Sequence, residues 1–243
     1  MEEQIWGEAE AARYDSPSPS QAQLEVIRAT VDLLADLADE GPALEFAIGT
    51  GRVGLPLAAR AVKVVGLEKS VPMAARLREK DPDEVVPVTI GDMATDRVPG
   101  SFRLVYLIFN TIGNLTTQER QIACFANAAA HLGPGGLFLI ENVVPHLRQL
   151  PPGEDARVFA HASGYVGYDR YTDLVAQQAV SHHFVVSRGE SWESRTPWRF
   201  VWPSELDLMA RLAGMELHSR WSDWDRSAFT GESSRHVSVW RKS

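Results

Sequence analysis

Residues 43–54, ALEFAIGTGRVG, constrain this chain more than any other stretch. A short apolar run ends in a cluster of glycines, and residues 55–61 then have the composition of a helix. Physically this is a strand, a tight turn and a helix N-terminus. Gly49, Gly51 and Gly54 keep the spacing G-x-G-x-x-G. Glycine permits positive φ and lets a ligand approach the backbone closely. Free N–H groups at a helix start favour an anionic or polar ligand. A second apolar run, residues 62–67, ends at Glu68, an acid placed to accept hydrogen bonds from two ribose hydroxyls. The stretch reads as a nucleoside-binding β-α-β unit. A glycine-rich turn with no ligand is the plain alternative.

The rest of the chain extends the alternation. A short helix is expected over residues 6–14, and Ser16-Pro17-Ser18-Pro19 reads as an exposed turn. Leu24, Ile27, Val31, Leu34 and Leu37 recur at helical spacing, which predicts an amphipathic helix over 21–39. After the second strand, Ser70 is a natural N-cap and Pro72 fits the first turn of a helix to residue 80. Residues 85–90 are expected to form a third strand, and the run 102–109, apolar but for Arg103, suits the centre of a sheet. Thr116-x-x-Glu119 resembles a capping box for a helix over 117–131, and Gly133-Pro134-Gly135-Gly136 turns into a fifth strand, 137–144. Strands alternating with helices imply a parallel sheet covered on both faces.

Beyond Pro145 the pattern changes. Residues 158–168, 174–187 and 191–202 read as three strands of an antiparallel insert. In the second of these, Val175, Gln177, Ala179, Ser181, His183 and Val185 share a face. A helix opens at Pro203 and runs to residue 213, and the runs 215–224 and 236–240 make a closing antiparallel pair.

Composition excludes several roles. The 32 acidic and 24 basic residues leave a net charge of −8, which lacks the basic footprint of a nucleic-acid partner. The single cysteine, Cys124, rules out a disulfide framework, fits a cytoplasmic protein and is expected to fill core. No apolar run suits a membrane helix, and the acidic N-terminus is unlike a signal peptide, so no membrane partner is expected.

The motif Glu45-Phe46-Ala47-Ile48-Gly49-Thr50-Gly51, together with Glu68, Gly91-Asp92-Met93, the loop 110–114, the glycine turn at 133–136 and the closing hairpin, resembles the class I S-adenosylmethionine-dependent methyltransferases. The resemblance covers residues 21–145 and 203–243. It implies a Rossmann-like, mostly parallel seven-stranded sheet with helices on both faces and a C-terminal antiparallel hairpin. An antiparallel β insert, 146–202, would follow strand five, and residues 1–20 would form a lid. S-adenosylmethionine is the implied cofactor. Glu45 would sit at its methionine end, Glu68 at the ribose, and Asp92 and Met93 at the adenine, with Lys69 also in the cofactor site. Ala47, Gly49, Thr50 and Gly51 would form the loop beneath it. Ala47 stands where the family has glycine, which puts close backbone approach at that point in doubt. Asn110 would border the transferable methyl. The run Phe109-Asn110-Thr111-Ile112-Gly113-Asn114-Leu115, with a β-rich insert, is similar to a narrower group that methylates amino sugars and other natural-product nitrogens.

Methyl transfer from a sulfonium asks a protein to align the two reactants and exclude water. A base is needed only if the acceptor must shed a proton. The candidate catalytic residues are Tyr14, as a lid aromatic or a packed ring; Asn110; and His146, as a base or a loop histidine. His182 and His183 point to opposite faces of a strand, so at most one enters a pocket. No Glu or Cys partner stands at zinc-like spacing, and no metal is expected. Arg170, Arg195 and Arg199 either clamp an anionic acceptor or remain solvated. Trp192, Trp198, Trp202, Trp221 and Trp224 either wall an apolar pocket or pack the insert against the sheet. The expected function is methyl transfer to a nitrogen, or an oxygen, of a small-molecule acceptor by in-line displacement. A homodimer through the insert is left open. Two alternatives remain: a catalytically silent cofactor-binding or scaffold module, and an NAD-dependent oxidoreductase. The latter shares the glycines and Glu68 but explains neither Glu45 nor residues 91–93, and no Tyr-x-x-x-Lys pair is present.

Overall fold

Continuous apolar strands need cover on both faces, and the chain supplies it from alternating helices. The computed structural model describes residues 3, 5–15, 21–187 and 190–243; the turn expected at Ser16-Pro17-Ser18-Pro19 lies outside them. The first half runs α1 (Glu8–Tyr14), α2 (Gln21–Ala38), β1 (Ala43–Phe46), α3 (Gly54–Ala58), β2 (Val64–Glu68), α4 (Val71–Lys80), β3 (Val88–Ile90), β4 (Phe102–Leu107), α5 (Gln118–His131) and β5 (Leu132–Val143). The insert is β6 (Ala156–Ala162), β7 (Tyr165–Asp173), β8 (Gln178–Ser187) and β9 (Glu190–Arg199). The chain returns through α6 (Pro203–Leu212), β10 (Met215–Trp221) and β11 (Arg235–Lys242). The seven-stranded sheet has the order β10-β11-β5-β4-β1-β2-β3, and the insert is a separate four-stranded sheet in sequence order. In the larger sheet only β11 runs antiparallel to its neighbours β5 and β10.

The α5 and α6 face buries Phe46, Phe125, Phe138 and Trp240. Phe125 meets Phe138 and Trp240 edge-on at 5.0 and 5.2 Å, the geometry aromatic quadrupoles prefer. The Trp240 indole N–H is satisfied by Asp207 at 2.9 Å. The opposite face, under α2 and α3, buries Leu34, Leu57, Tyr106 and Trp224. Cys124 is buried in the first cluster, and burial pushes its thiol pKa up, as befits an inert core filler. Among the described residues no helix is long and apolar enough to cross a membrane.

Several element boundaries differ from the sequence expectation for local reasons. The third strand starts at Val88, because the Asp81 carboxylate takes the N–H groups of Val85 and Val86 at 3.1 and 2.8 Å. The helix after residue 116 is capped by Thr117, whose hydroxyl accepts from Arg120 N, and not by Thr116. The 133–136 turn is absorbed into β5 as an irregularity: Phe102 pairs with Leu132, but Leu104 pairs with Leu137. The insert has four strands where three were expected, because residues 158–168 fold back at Gly164, with φ +76. Val175 and Gln177 belong to the turn before β8, not to its face.

Candidate active site

Two cavities adjoin at the carboxyl end of the main sheet. The first, about 250 Å³, lies over the glycine loop. Here the loop after β1 turns through left-handed φ at Ala47 (+52), Gly49 (+60) and Gly51 (+77). A Cβ on Gly54 would stand 2.7 Å from the Glu45 carboxylate and 2.8 Å from the end of Ile48, so a larger residue there would require those side chains to move. Glu68 closes the loop from β2: one oxygen accepts from Gly49 N at 2.8 Å and the other from Ser70 N at 2.7 Å. Burial raises its pKa, with those N–H bonds working against the shift. The floor is apolar, with Leu67, Met73, Met93 and Leu115.

The N-terminal segment lies across the mouth of this cavity. Glu3, Ile5, Trp6 and Tyr14 contribute to its wall. Glu3 accepts from Lys69 and Arg120, and both cations also bind Asp92, at 2.9 and 2.6 Å. Burial works to raise the Asp92 pKa, but the bonds from Lys69, Ala94 N–H and Arg120 prevail and hold it low. Ser70 Oγ donates to the Trp6 carbonyl at 2.6 Å, and Thr50 Oγ donates to Asp15 at 2.8 Å. Trp6 meets the Tyr14 ring edge-on at 5.5 Å. The Arg52 guanidinium lies 5.3 Å from the Tyr14 ring and 4.0 Å from that of Phe109.

The second cavity, about 320 Å³, opens between the end of the main sheet and the inner face of the insert. Trp6, Phe109 and Asn114 line both cavities. Phe109 and Asn110 are consecutive non-glycine residues with left-handed φ, +57 and +59, which ends β4 two residues before the expected boundary. Such a conformation costs roughly 1–3 kcal/mol per residue and needs support from its surroundings. Glu141 Oε accepts from Phe109 N at 2.6 Å, and Asn110 Oδ accepts from Val143 N at 2.7 Å. The insert docks on this loop: a Cβ on Gly113 would lie 3.3 Å from the Arg199 carbonyl. From the insert, Arg157, Asp169, Ser181, His183, Thr196 and Trp198 face the cavity.

Comparison with known proteins agrees with this arrangement. A family model for a methyltransferase domain matches residues 43–136. The dTDP-3-amino-3,4,6-trideoxy-alpha-D-glucopyranose N,N-dimethyltransferase of Streptomyces venezuelae is 34% identical over 98 residues, 40% of either chain. The dTDP-3-amino-3,6-dideoxy-alpha-D-glucopyranose N,N-dimethyltransferase of Streptomyces fradiae is 36% identical over 98 residues, 40% of this chain and 38% of its own. The match thus spans about two fifths of these curated relatives. The solved structure of the CcbJ methyltransferase from Streptomyces caelestis aligns over 100% of both chains, with 34% identity and a TM-score of 0.88. The chain belongs to the class I S-adenosylmethionine-dependent methyltransferases.

In this methyltransferase, Tyr14, Ala47, Gly49, Glu68, Lys69, Asp92 and Met93 meet around the first cavity, as the sequence brings them together only in fold. Glu45, Thr50 and Gly51 are not on its wall. Glu45 is buried beneath the loop, takes the Tyr106 hydroxyl at 2.9 Å, and is pushed by burial to a pKa of about 8. Gly51 packs on Leu55 and Leu77, and the Thr50 hydroxyl is bound to Asp15. Asn110 and His146 line the second cavity. Burial, then the charge of Arg157, lowers the His146 pKa. His183 faces this cavity with Nδ1 2.8 Å from the Tyr165 hydroxyl, while His182 stacks on Tyr168 at 4.5 Å on the other face.

Of the three arginines, Arg170 and Arg195 are solvated and only Arg199 departs from both expectations. Arg170 and Arg195 pair with Asp155 and Glu193 at exposed positions, and buried Arg199 ties Gln121, Gln177 and Glu205 together. The arginine on the wall of the second cavity is Arg157. Of the tryptophans expected there, only Trp198 lines the cavity; Trp224 is core, and Trp192 and Trp202 are exposed. Trp6, Arg157 and Asp169 escaped sequence reasoning. The one available signal was alternation in the β7 segment, where Tyr165, Gly167, Asp169 and Tyr171 share a face.

Proposed function

We propose that this methyltransferase moves the methyl group of S-adenosylmethionine onto the nitrogen of a small, hydroxyl-bearing amine by in-line displacement. The observation that carries the reading is the pair of cavities separated by Phe109, Trp6 and Asn114. A nucleoside site and a polar acceptor chamber meet at one partition, as a direct transfer requires. Relatives named as N,N-dimethyltransferases of dTDP-linked amino sugars support nitrogen as the acceptor atom.

The first cavity suits the cofactor chemically. Its apolar floor fits a purine, and Glu68 and Asp92 supply acceptors for ribose hydroxyls and an exocyclic amine. Lys69 pairs with Asp92 and fixes its orientation. When bound, S-adenosylmethionine supplies a methyl group already activated by the sulfonium charge. The protein contributes alignment and dryness. Glu3 and residues 5–15, with Tyr14 and Trp6, act as a lid that keeps water from the partition. Asn110 acts by holding the loop end to β5, with its amide nitrogen left for the acceptor. His146, with its lowered pKa, is neutral near pH 7 and able to take the proton an ammonium acceptor must lose. Neither a silent scaffold nor an oxidoreductase is favoured.

Calorimetry with S-adenosylhomocysteine and with NADH tests the cofactor. Micromolar binding of the first and none of the second is expected. Turnover of methyl-labelled donor with amino sugars, against the same sugars bearing hydroxyl in place of the amine, tests the acceptor atom. Label transfer only to the hydroxyl series would overturn the nitrogen assignment.

A further inference from the structure

The acceptor cavity has one acid and one arginine on its wall, Asp169 and Arg157. They are directly opposite in the β6–β7 register, a position where unlike charges ordinarily close on each other. Here they do not: among the described residues the Arg157 side chain makes no ion pair and no hydrogen bond, and it acts on Asp169 only through its charge. Asp169 is bound instead by Ser181, whose hydroxyl donates to one carboxylate oxygen at 2.5 Å. A carboxylate offers about four lone-pair sites, so capacity remains for a second donor. Burial raises the Asp169 pKa, against the Ser181 bond and the Arg157 charge. The remaining walls include Phe109, Phe159 and Trp198. Trp198 keeps a buried indole N–H with no hydrogen-bond partner.

A wall of this kind presents, side by side, an acceptor with spare capacity and a donor whose side chain has no partner of its own. Its complement is a ligand with the reverse pattern on neighbouring atoms: an N–H donor facing Asp169 and an oxygen facing Arg157. We propose that Asp169 and Arg157 together select a vicinal amino alcohol, with Asp169 holding the amine and Arg157 the adjacent oxygen. The inference rests on the N-methyltransferase reading for the site's role, but the recognition itself is a matter of binding. Asp169 and Arg157 are specificity-determining residues on this assignment, and both stand on the insert, away from the donor loop.

The test uses the full chain saturated with S-adenosylhomocysteine. Three probes are titrated and followed by the Trp198 indole resonance: trans-2-aminocyclohexanol, cyclohexylamine and trans-1,2-cyclohexanediol. The amino alcohol is expected to bind at least about tenfold more tightly than either single-function analogue, the scale of one charge-assisted hydrogen bond. Asp169→Asn should erase the preference over the diol, and Arg157→Gln the preference over the plain amine. Asp169→Ser is the second variant if Asp169→Asn does not fold. Equal binding of the three probes to the wild-type protein, no binding of the amino alcohol, or an unchanged preference order in both variants overturns the proposal. Label transfer from S-adenosylmethionine to the same amino alcohol is measured in parallel. Selective binding without transfer would sink the N-methylation reading and leave the recognition pair intact. Transfer with an order of preference indifferent to Asp169 would do the reverse.

Discussion

The two cavities are built in different ways. The first cavity is largely a backbone construction: left-handed φ at Ala47, Gly49 and Gly51, a Gly54 set close against the Glu45 carboxylate, and Glu68 fastened to the N–H groups of Gly49 and Ser70. The second cavity is a side-chain construction, with Asp169, Ser181, His183, Thr196 and Trp198 standing on one face of a half-exposed sheet. Backbone geometry tolerates few residue types at each position. A sheet face tolerates many, because any side chain can project from a regular strand. On the proposed function, the first cavity is therefore the part that many acceptor chemistries can share, and the insert is the part that can change.

The comparison breaks if donor binding survives damage to the loop. Gly51→Val places a branched Cβ at φ +77, 3.0 Å from Leu55 and Leu77. Combined conformational strain and overpacking of about 2–5 kcal/mol should abolish S-adenosylhomocysteine binding in calorimetry and lower the melting temperature. Glu68→Ala should weaken the same binding by roughly 1–3 kcal/mol. His183→Gln, on the side-chain-built wall, should leave it within about twofold. Equal losses in those two variants would mean that the cavities are not separable.

Glu45 sharpens the contrast through pH. Its carboxyl, pushed to about 8 in the folded protein, titrates near the ordinary 4.5 when unfolded. The folded state then binds the proton more tightly, so this group's contribution to stability is full below pH 4.5 and is lost as pH rises toward 8. Urea unfolding should show stability declining across that window, and Glu45→Gln should flatten the decline. The smallest effect is expected at Ala47. A left-handed alanine costs about 1 kcal/mol relative to glycine, so Ala47→Gly should stabilise the protein by about that amount without weakening cofactor binding.

The same division explains what could be read from the sequence. Strongly apolar runs such as residues 104–109, and the glycine spacing after β1, expose the main sheet and its loop because local chemistry decides them. Ser70 could be named as a cap for the same reason, and its hydroxyl does accept from Met73 N. The hairpin at Gly164 was hidden because its flanks, Ala162 and Tyr165, continue a strand-like composition. Arg157 and Asp169 could not be paired, since their meeting depends on the β6–β7 register, which no single segment encodes. Glu3 meets Arg120 only because α5 begins beside the mouth of the cavity, 117 residues along the chain.

Phe109, Trp6 and Asn114 belong to both chambers. A partition with two faces makes their occupancies a closed thermodynamic cycle. Whatever factor the donor applies to acceptor affinity, the acceptor must apply to donor affinity. Changing the order of addition in a titration changes which of the two constants is read first, while their product stays the same.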